Sequence, residues 1–232
     1  MIHEHSITNP GWEQNGVFVK YFPRYRWNII SLNVLKLLFL DTELQGLKDG
    51  KKREIEGRRN LSEIGVKTSS ILGSETRKLY MEFLNGPNMR EELLNSDVDR
   101  CFNIGRRKGE QLNYIHENKM ALIDSRISNT VLKDDELYLV DLELFTREAT
   151  TFQKKLDLIS LESSSRLLPT KKYRSFIKGF QEGYGKKYKN LYNIRLFITF
   201  FTGIWLGLFG EKSVKKTFLN AKNWFGEFLK KI

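Results

Sequence analysis

Cysteine is almost absent from this chain of 232 residues, with Cys101 standing alone. A single thiol excludes an internal disulfide framework and a cysteine metal cluster, and it reads most simply as a core thiol in a reducing compartment. Histidine is nearly as scarce. Two of the three, His3 and His5, sit at the amino terminus, which argues against a zinc site. The opening Met1-Ile2-His3-Glu4-His5 lacks the basic-then-apolar order of a secretory signal. The expected location is therefore the cytoplasm, or the cytoplasmic face of a membrane. Long apolar runs are missing too. Leu196 to Gly210 is uncharged and mostly apolar, yet falls short of the roughly 20 residues that span a bilayer.

Positive charge is plentiful. The formal net charge of +11 favours an anionic partner: nucleotide, nucleic acid or acidic lipid. A composition of 40% hydrophobic and 29% charged residues suits one compact domain, or one domain in two lobes.

Gly16 to Phe22 reads as a short strand after an Asn-Gly turn, stopped by Pro23. Lys20 on that strand is either a solvated edge residue or a group reaching phosphates. Ile29 to Leu44 is an apolar helical pattern, and Lys51 to Ile64 is a basic helix ended by Gly65. Val66 to Leu72 and Lys78 to Leu84 look like two strands joined around Gly73-Ser74-Glu75. The second runs into Asn85-Gly86-Pro87. Met89 to Leu94 and Asp97 to Asn118 read as helices, the latter burying Val98, Cys101, Leu112 and Ile115. Gly105 and Gly109 weaken that second helix. His116 near its end reads as a cap or packing residue rather than a ligand.

The next stretch organises the chain. Asp124 and Asn129 lie five residues apart. A hairpin follows, Thr130-Val131-Leu132 and Leu137 to Val140, ending in Asp141. Asn129 and Asp141 bracket its strands, so both come to one end, as a shared metal requires. Phe152 to Leu168 is then helical, with Phe152, Leu156 and Ile159 inside, and Tyr173 to Tyr184 forms another helix after Pro169. Beyond Arg195, an apolar segment and a basic amphipathic pattern from Val214 to Leu229 make either an interfacial anchor or a packed helical hairpin.

From Gly16 to Tyr184 the order of these pieces resembles the small members of the protein-kinase-like superfamily. These are the kinase subunit of the KEOPS tRNA-modification complex, the RIO kinases and the lipopolysaccharide core-sugar kinases. The resemblance implies an α+β, two-lobed, protein-kinase-like fold. Residues 1–87 would form a reduced N-lobe and hinge, 88–190 a helical C-lobe, and 191–232 an apolar and amphipathic helical extension. It implies that Lys20, on Gly16-Val17-Phe18-Val19-Lys20, orients ATP phosphates and is fixed by Glu54. The backbone of Glu82 and Leu84, in Tyr80-Met81-Glu82-Phe83-Leu84, would meet adenine. Asn129 and Asp141 would hold Mg²⁺, joined by Glu143 of Leu139-Val140-Asp141-Leu142-Glu143, and Asp124 would position the acceptor hydroxyl. Lys155-Leu156-Asp157-Leu158 resembles the segment whose Asp buttresses the catalytic loop.

The chain departs from that pattern in three places. Leu122-Ile123 stands where the group has His-Gly, Leu142-Glu143 replaces Phe-Gly after Asp141, and no Gly-x-Gly-x-x-Gly loop precedes Lys20. The leading expectation is an ATP- and Mg²⁺-dependent phosphotransferase acting on an unidentified hydroxyl, of a protein or a lipid-linked sugar. The departures motivate a pseudokinase, a nucleotide-binding regulatory or scaffold module, as the alternative. A basic α+β scaffold that binds no nucleotide is the third reading. Candidate partners are nucleotide, a protein or tRNA-modification complex, and an anionic membrane surface through residues 195–232.

Overall fold

The computed structural model describes residues 11–22, 50–185 and 188. The expected helix at Ile29 to Leu44 and the whole C-terminal extension lie outside them. Among the described residues no helix is long and apolar enough to cross a membrane.

Asn15-Gly16 sets the first turn. Both residues have positive φ, 53° and 77°, the geometry of a two-residue hairpin loop whose twist matches its strands. It joins β1 (Gly11–Gln14) to β2 (Val17–Tyr21). Helix α1 (Gly50–Glu63) follows, built largely of good helix formers. Gly65 ends it at φ 77°, with the Val66 N–H returning to Leu61 O, a Schellman-type closure. β3 (Ile71–Ser74) and β4 (Lys78–Glu82) complete an antiparallel sheet of order β1-β2-β4-β3. The expected strand from Val66 begins later, at Ile71. Before it, Leu139 N–H bonds to Lys67 O and Thr68 makes an isolated bridge to Leu139, so this stretch is drawn toward the hairpin rather than the sheet.

The remaining part is mainly helical. α2 (Met89–Asn95) opens on a reciprocal capping box between Asn88 and Glu91, and α3 (Val98–Glu117) on an Asp97 cap. A short 3₁₀ turn (Ile127–Asn129) leads to β5 (Thr130–Lys133) and β6 (Glu136–Leu139). Asp134 and Asp135 both take positive φ in the turn between them. α4 (Thr151–Ser165), capped by Thr150 and Gln153, and α5 (Thr170–Tyr184) close the described fold. The mixed α+β architecture agrees with the sequence expectation.

Two expected burial patterns and the weight given to two glycines need correction. Val98 is exposed, because it begins α3 rather than lying within its apolar stripe. On α4 the buried face is Asp157, Leu158, Leu161, Glu162 and Ser165, a rotation away from Phe152, Leu156 and Ile159, which are only half-buried. Gly105 and Gly109 do not interrupt α3. They face Gly179 and Gly183 of α5, and these residues bring the two backbones into direct contact. A Cβ built on Gly105, Gly109, Gly179 or Gly183 would lie 1.9–2.3 Å from a carbonyl oxygen of the opposing helix. Phe176 and Phe180, fully buried beside the stripe, contribute about 2 kcal/mol each or more by leaving water.

Gly183→Ala is therefore expected to destabilise the protein by about 1–3 kcal/mol, the usual cost of overpacking, even though alanine favours helix. Urea unfolding checks this. A neutral or stabilising result would mean that the helices can separate at no cost.

Candidate functional site

Lys20 is buried on β2, opposite Leu79 in the sheet register. Its Nζ lies 3.0 Å from Glu54 Oε2, 2.7 Å from Asp141 Oδ1 and 2.9 Å from Glu143 Oε1. Glu54, fully buried on α1, also accepts from Leu142 N–H at 2.8 Å and from the Arg58 guanidinium one turn later. Arg58 in turn bonds the Ser69 carbonyl at 3.1 Å and the Ser69 hydroxyl. Burial alone would push the Lys20 ammonium down, but Asp141, Glu54 and Glu143 outweigh it and hold Lys20 well above the ordinary lysine value.

In the sequence Arg58 is one of the positive charges of the basic helix from Lys51 to Ile64. In the structure it is almost completely buried, and its pairing with Glu54 at i,i+4 was a readable signal.

Carboxylate oxygens of Glu54, Asp141 and Glu143 lie within 4.8 Å of one another around the Lys20 ammonium, and with Glu54 committed to Arg58 and Leu142 N–H as well, Asp141 and Glu143 are the hard oxygen donors a magnesium ion could take. Asp141 has φ 60°, so the chain turns sharply as it leaves β6. Val140 N–H bonds to Asn129 O at 3.1 Å, which brings Asn129 and Asp141 to the same end of the hairpin. Both line one cavity of about 210 Å³. The Asn129 side chain donates to Asp124 O at 3.1 Å and stands outside the carboxylate trio.

Phe18, Leu84, Val131 and Val140 give the cavity apolar walls, with Glu82 and Lys20 also on its lining. The Glu82 amide is committed to Ser70 O and the Phe83 amide to Gly16 O. The Glu82 carboxylate reaches across to Lys133 at 2.8 Å. Here the linker between sheet and helices is pressed onto the hairpin. Leu132 N–H bonds to Pro87 O, and a Cβ on Gly86 would meet Leu132 O at 1.9 Å.

Asp124 is held from its own loop and from α4. Arg126 Nε lies 2.8 and 3.0 Å from its two oxygens, Arg126 Nη2 lies 2.6 Å from Oδ2, and the Ser160 hydroxyl donates to Oδ1 at 2.9 Å. Just before it, Ile123 sits at φ 64°, a conformation that costs a β-branched residue on the order of 1–2 kcal/mol. Asp157 anchors this loop. Its Oδ2 accepts Leu122 N–H at 2.8 Å and faces His116 Nε2 at 3.0 Å, and its carbonyl accepts the Ser125 hydroxyl. The other His116 nitrogen lies 2.7 Å from the Tyr184 hydroxyl, so His116 is the packing residue expected from the sequence. Burial pushes the Asp157 carboxyl above its usual range, against the pull of His116.

Beneath the hairpin, Lys108 is fully buried and donates to Thr130 Oγ1 and Gln111 Oε1, both at 3.0 Å. Sequence reasoning missed it together with Arg126 and Ser160. Lys108 lies at i+4 from Ile104 and i−4 from Leu112, inside the apolar stripe of α3, and that spacing was the available signal.

No family model matches the chain. It is 25% identical over 144 residues to the KEOPS complex subunit Bud32 of Pyrococcus abyssi, covering 61% of this chain and 64% of that one. It is 27% identical over 112 residues to a probable bifunctional tRNA threonylcarbamoyladenosine biosynthesis protein of Methanococcus vannielii, covering 48% of this chain and 20% of that protein. The chain thus spans less than two thirds of either relative. Among solved structures, WaaP in complex with acyl carrier protein matches with a TM-score of 0.56 over 87% of this chain and 85% of that one. At 15% identity that likeness concerns the fold.

Burial lowers Lys108 to about 7, opposed by the nearby Asp157 charge. The unfolded chain keeps this proton to the ordinary 10.5, so between those values it binds more protons than the folded chain and stability climbs with pH. Lys108→Met is expected to be the more stable form at pH 6, by a margin on the order of a few kcal/mol, and to lose that climb. Urea midpoints across the pH range check both. A less stable variant with an unchanged climb would contradict the assignment.

Proposed function

Starting from a protein-kinase-like superfamily member, we propose that this chain binds Mg²⁺–ATP and transfers its terminal phosphoryl group to a hydroxyl acceptor. The observation that carries the reading is the Lys20 ammonium held within 3.0 Å of Glu54, Asp141 and Glu143, beside a cavity walled by the sheet and the hairpin.

Lys20, kept charged and oriented by Glu54, orients the phosphates. The apolar walls take the base, with the backbone at Glu82 and Leu84 on its polar edge. Asn129 and Asp141, with Glu143, would hold Mg²⁺, which on binding neutralises charge on the phosphate oxygens. Asp124 accepts or orients the acceptor proton once Arg126 gives up part of its grip. Phosphoryl transfer asks little covalent chemistry of a protein, and positioning supplies most of the acceleration. The name of the Methanococcus vannielii relative supports an acceptor or partner within tRNA modification, and that of Bud32 a place in a protein complex.

A second reading, nucleotide binding without turnover, is favoured by one feature of the site. Both Asp124 oxygens are occupied by the Arg126 fork, whereas an acceptor needs one of them.

Calorimetry with ATP in the presence and absence of Mg²⁺ tests the site. Asp141→Asn is expected to weaken Mg²⁺-dependent binding about tenfold or more, equivalent to roughly 1.4 kcal/mol. Undiminished binding in that variant would remove Asp141 from the metal site. ATP hydrolysis separates the two readings. Turnover that falls roughly 100-fold in Asp124→Asn marks an enzyme, and binding with no turnover marks the module.

A further inference from the structure

Lys108 is a sealed ammonium that the phosphotransfer scheme leaves without a task. It lies inside the apolar stripe of α3 at 0% exposure. Both its hydrogen-bond partners, Thr130 Oγ1 and Gln111 Oε1, are neutral, and the Asp157 charge on α4 does not offset the cost of burial. A charge kept on neutral partners in a dry interior costs stability that an apolar side chain would not. Departures of this kind concentrate at functional sites. Sealed from solvent, Lys108 acts through what it holds.

What it holds is the hairpin, by both strands. Lys108 Nζ donates to Thr130 Oγ1 on β5 and to Gln111 Oε1, each at 3.0 Å, and Gln111 Nε2 donates onward to Leu137 O on β6 at 3.1 Å. Thr130 directly follows Asn129, and successive strand residues point to opposite faces. With the buried Thr130 hydroxyl drawn onto α3, Asn129 is left on the cavity side, where it lines the wall with Asp141. The bond from Val140 N–H to Asn129 O then ties the two strands one residue short of Asp141. At the opposite end of the hairpin, Arg100 and Arg107 of α3 pair with Asp135, whose side chain is 63% exposed. Exposed pairs add little. The firm hold is the buried one, at the end that carries Asn129 and Asp141.

We propose that Lys108 is a positioning residue for that end of the hairpin: through Thr130 it sets how Asn129 meets Asp141 around a divalent cation bound with ATP. This inference rests on the Mg²⁺–ATP site proposed above. Magnesium demands near-ideal octahedral geometry, so a small shift of one ligand is felt in its affinity. A methionine at position 108 fills the same space and keeps the fold, yet leaves the Thr130 hydroxyl without its donor and the hairpin end free to shift.

Calorimetry with ATP, with and without Mg²⁺, is run on the full chain and on Lys108→Met, Thr130→Val and Thr130→Ser, with urea midpoints on the same preparations. The gain in ATP affinity that Mg²⁺ brings is expected to fall roughly tenfold in Lys108→Met and in Thr130→Val, while binding without Mg²⁺ stays unchanged and Lys108→Met keeps its higher midpoint at pH 6. Thr130→Ser keeps the hydroxyl and should keep the gain, although valine is the closer match to threonine in shape. Lys108→Met and Thr130→Val combined should lose no more than either alone, because both cut one bond. A full Mg²⁺ gain in Lys108→Met overturns the proposal, and so does an equal loss with and without Mg²⁺, which marks general loosening. Both results leave the nucleotide site standing. Should Lys108→Met fail to fold, the Thr130 pair decides, and an equal Mg²⁺ gain in valine and serine variants overturns the proposal. A parent chain that binds no ATP, or gains nothing from Mg²⁺, overturns the site reading itself and this inference with it.

Discussion

An ammonium group drawn in among three carboxylates ties the sheet, helix α1 and the segment beyond β6 into one unit. Lys20 comes from β2, Glu54 from α1, and Asp141 and Glu143 from the turn after the hairpin. Removing such charges from water costs several kcal/mol per ion, and only mutual neutralisation with well-placed hydrogen bonds offsets it. The cluster therefore forms as a whole or not at all. Among the described residues, Arg58 joins Lys20 on Glu54, so the buried carboxylate is shared by two cations from two elements.

The loop before the hairpin reaches order by an indirect route. Leu122-Ile123 supplies no side chain that could hold Asp124, and Ile123 adopts a backbone conformation that glycine would adopt without strain. Asp157 grips the loop backbone from α4 at Leu122 and Ser125, and His116 steadies Asp157 in turn. Arg126 and Ser160 then fix the Asp124 carboxylate itself.

Much of this was legible in the sequence. Asn15-Gly16 announced the turn before β2, Gly65 the end of α1, and the apolar run closing on Asp141 the second hairpin, because each depends on short-range backbone chemistry. Lys20, Glu54 and Asp141 were readable only through their order along the chain, since residues 121 positions apart carry no local sign of contact. Gly105 and Gly109 weighed against a helix that does form, for the same reason. Their effect depends on Gly179 and Gly183, and a single helix seen alone registers only the propensity cost. The face of α4 was misjudged because Asp157 and Glu162, polar residues normally assigned to solvent, turn inward where partners wait for them.

The β5–β6 hairpin is clasped at its turn by Glu82, Gly86 and Pro87, and its open end carries Asn129 and Asp141. Four residues of paired strand span only about 13 Å and bend little. Because Pro87 and Asn88 pair with Leu132 and Val131 along β5, a shift of the linker is handed to the strand that follows Asn129.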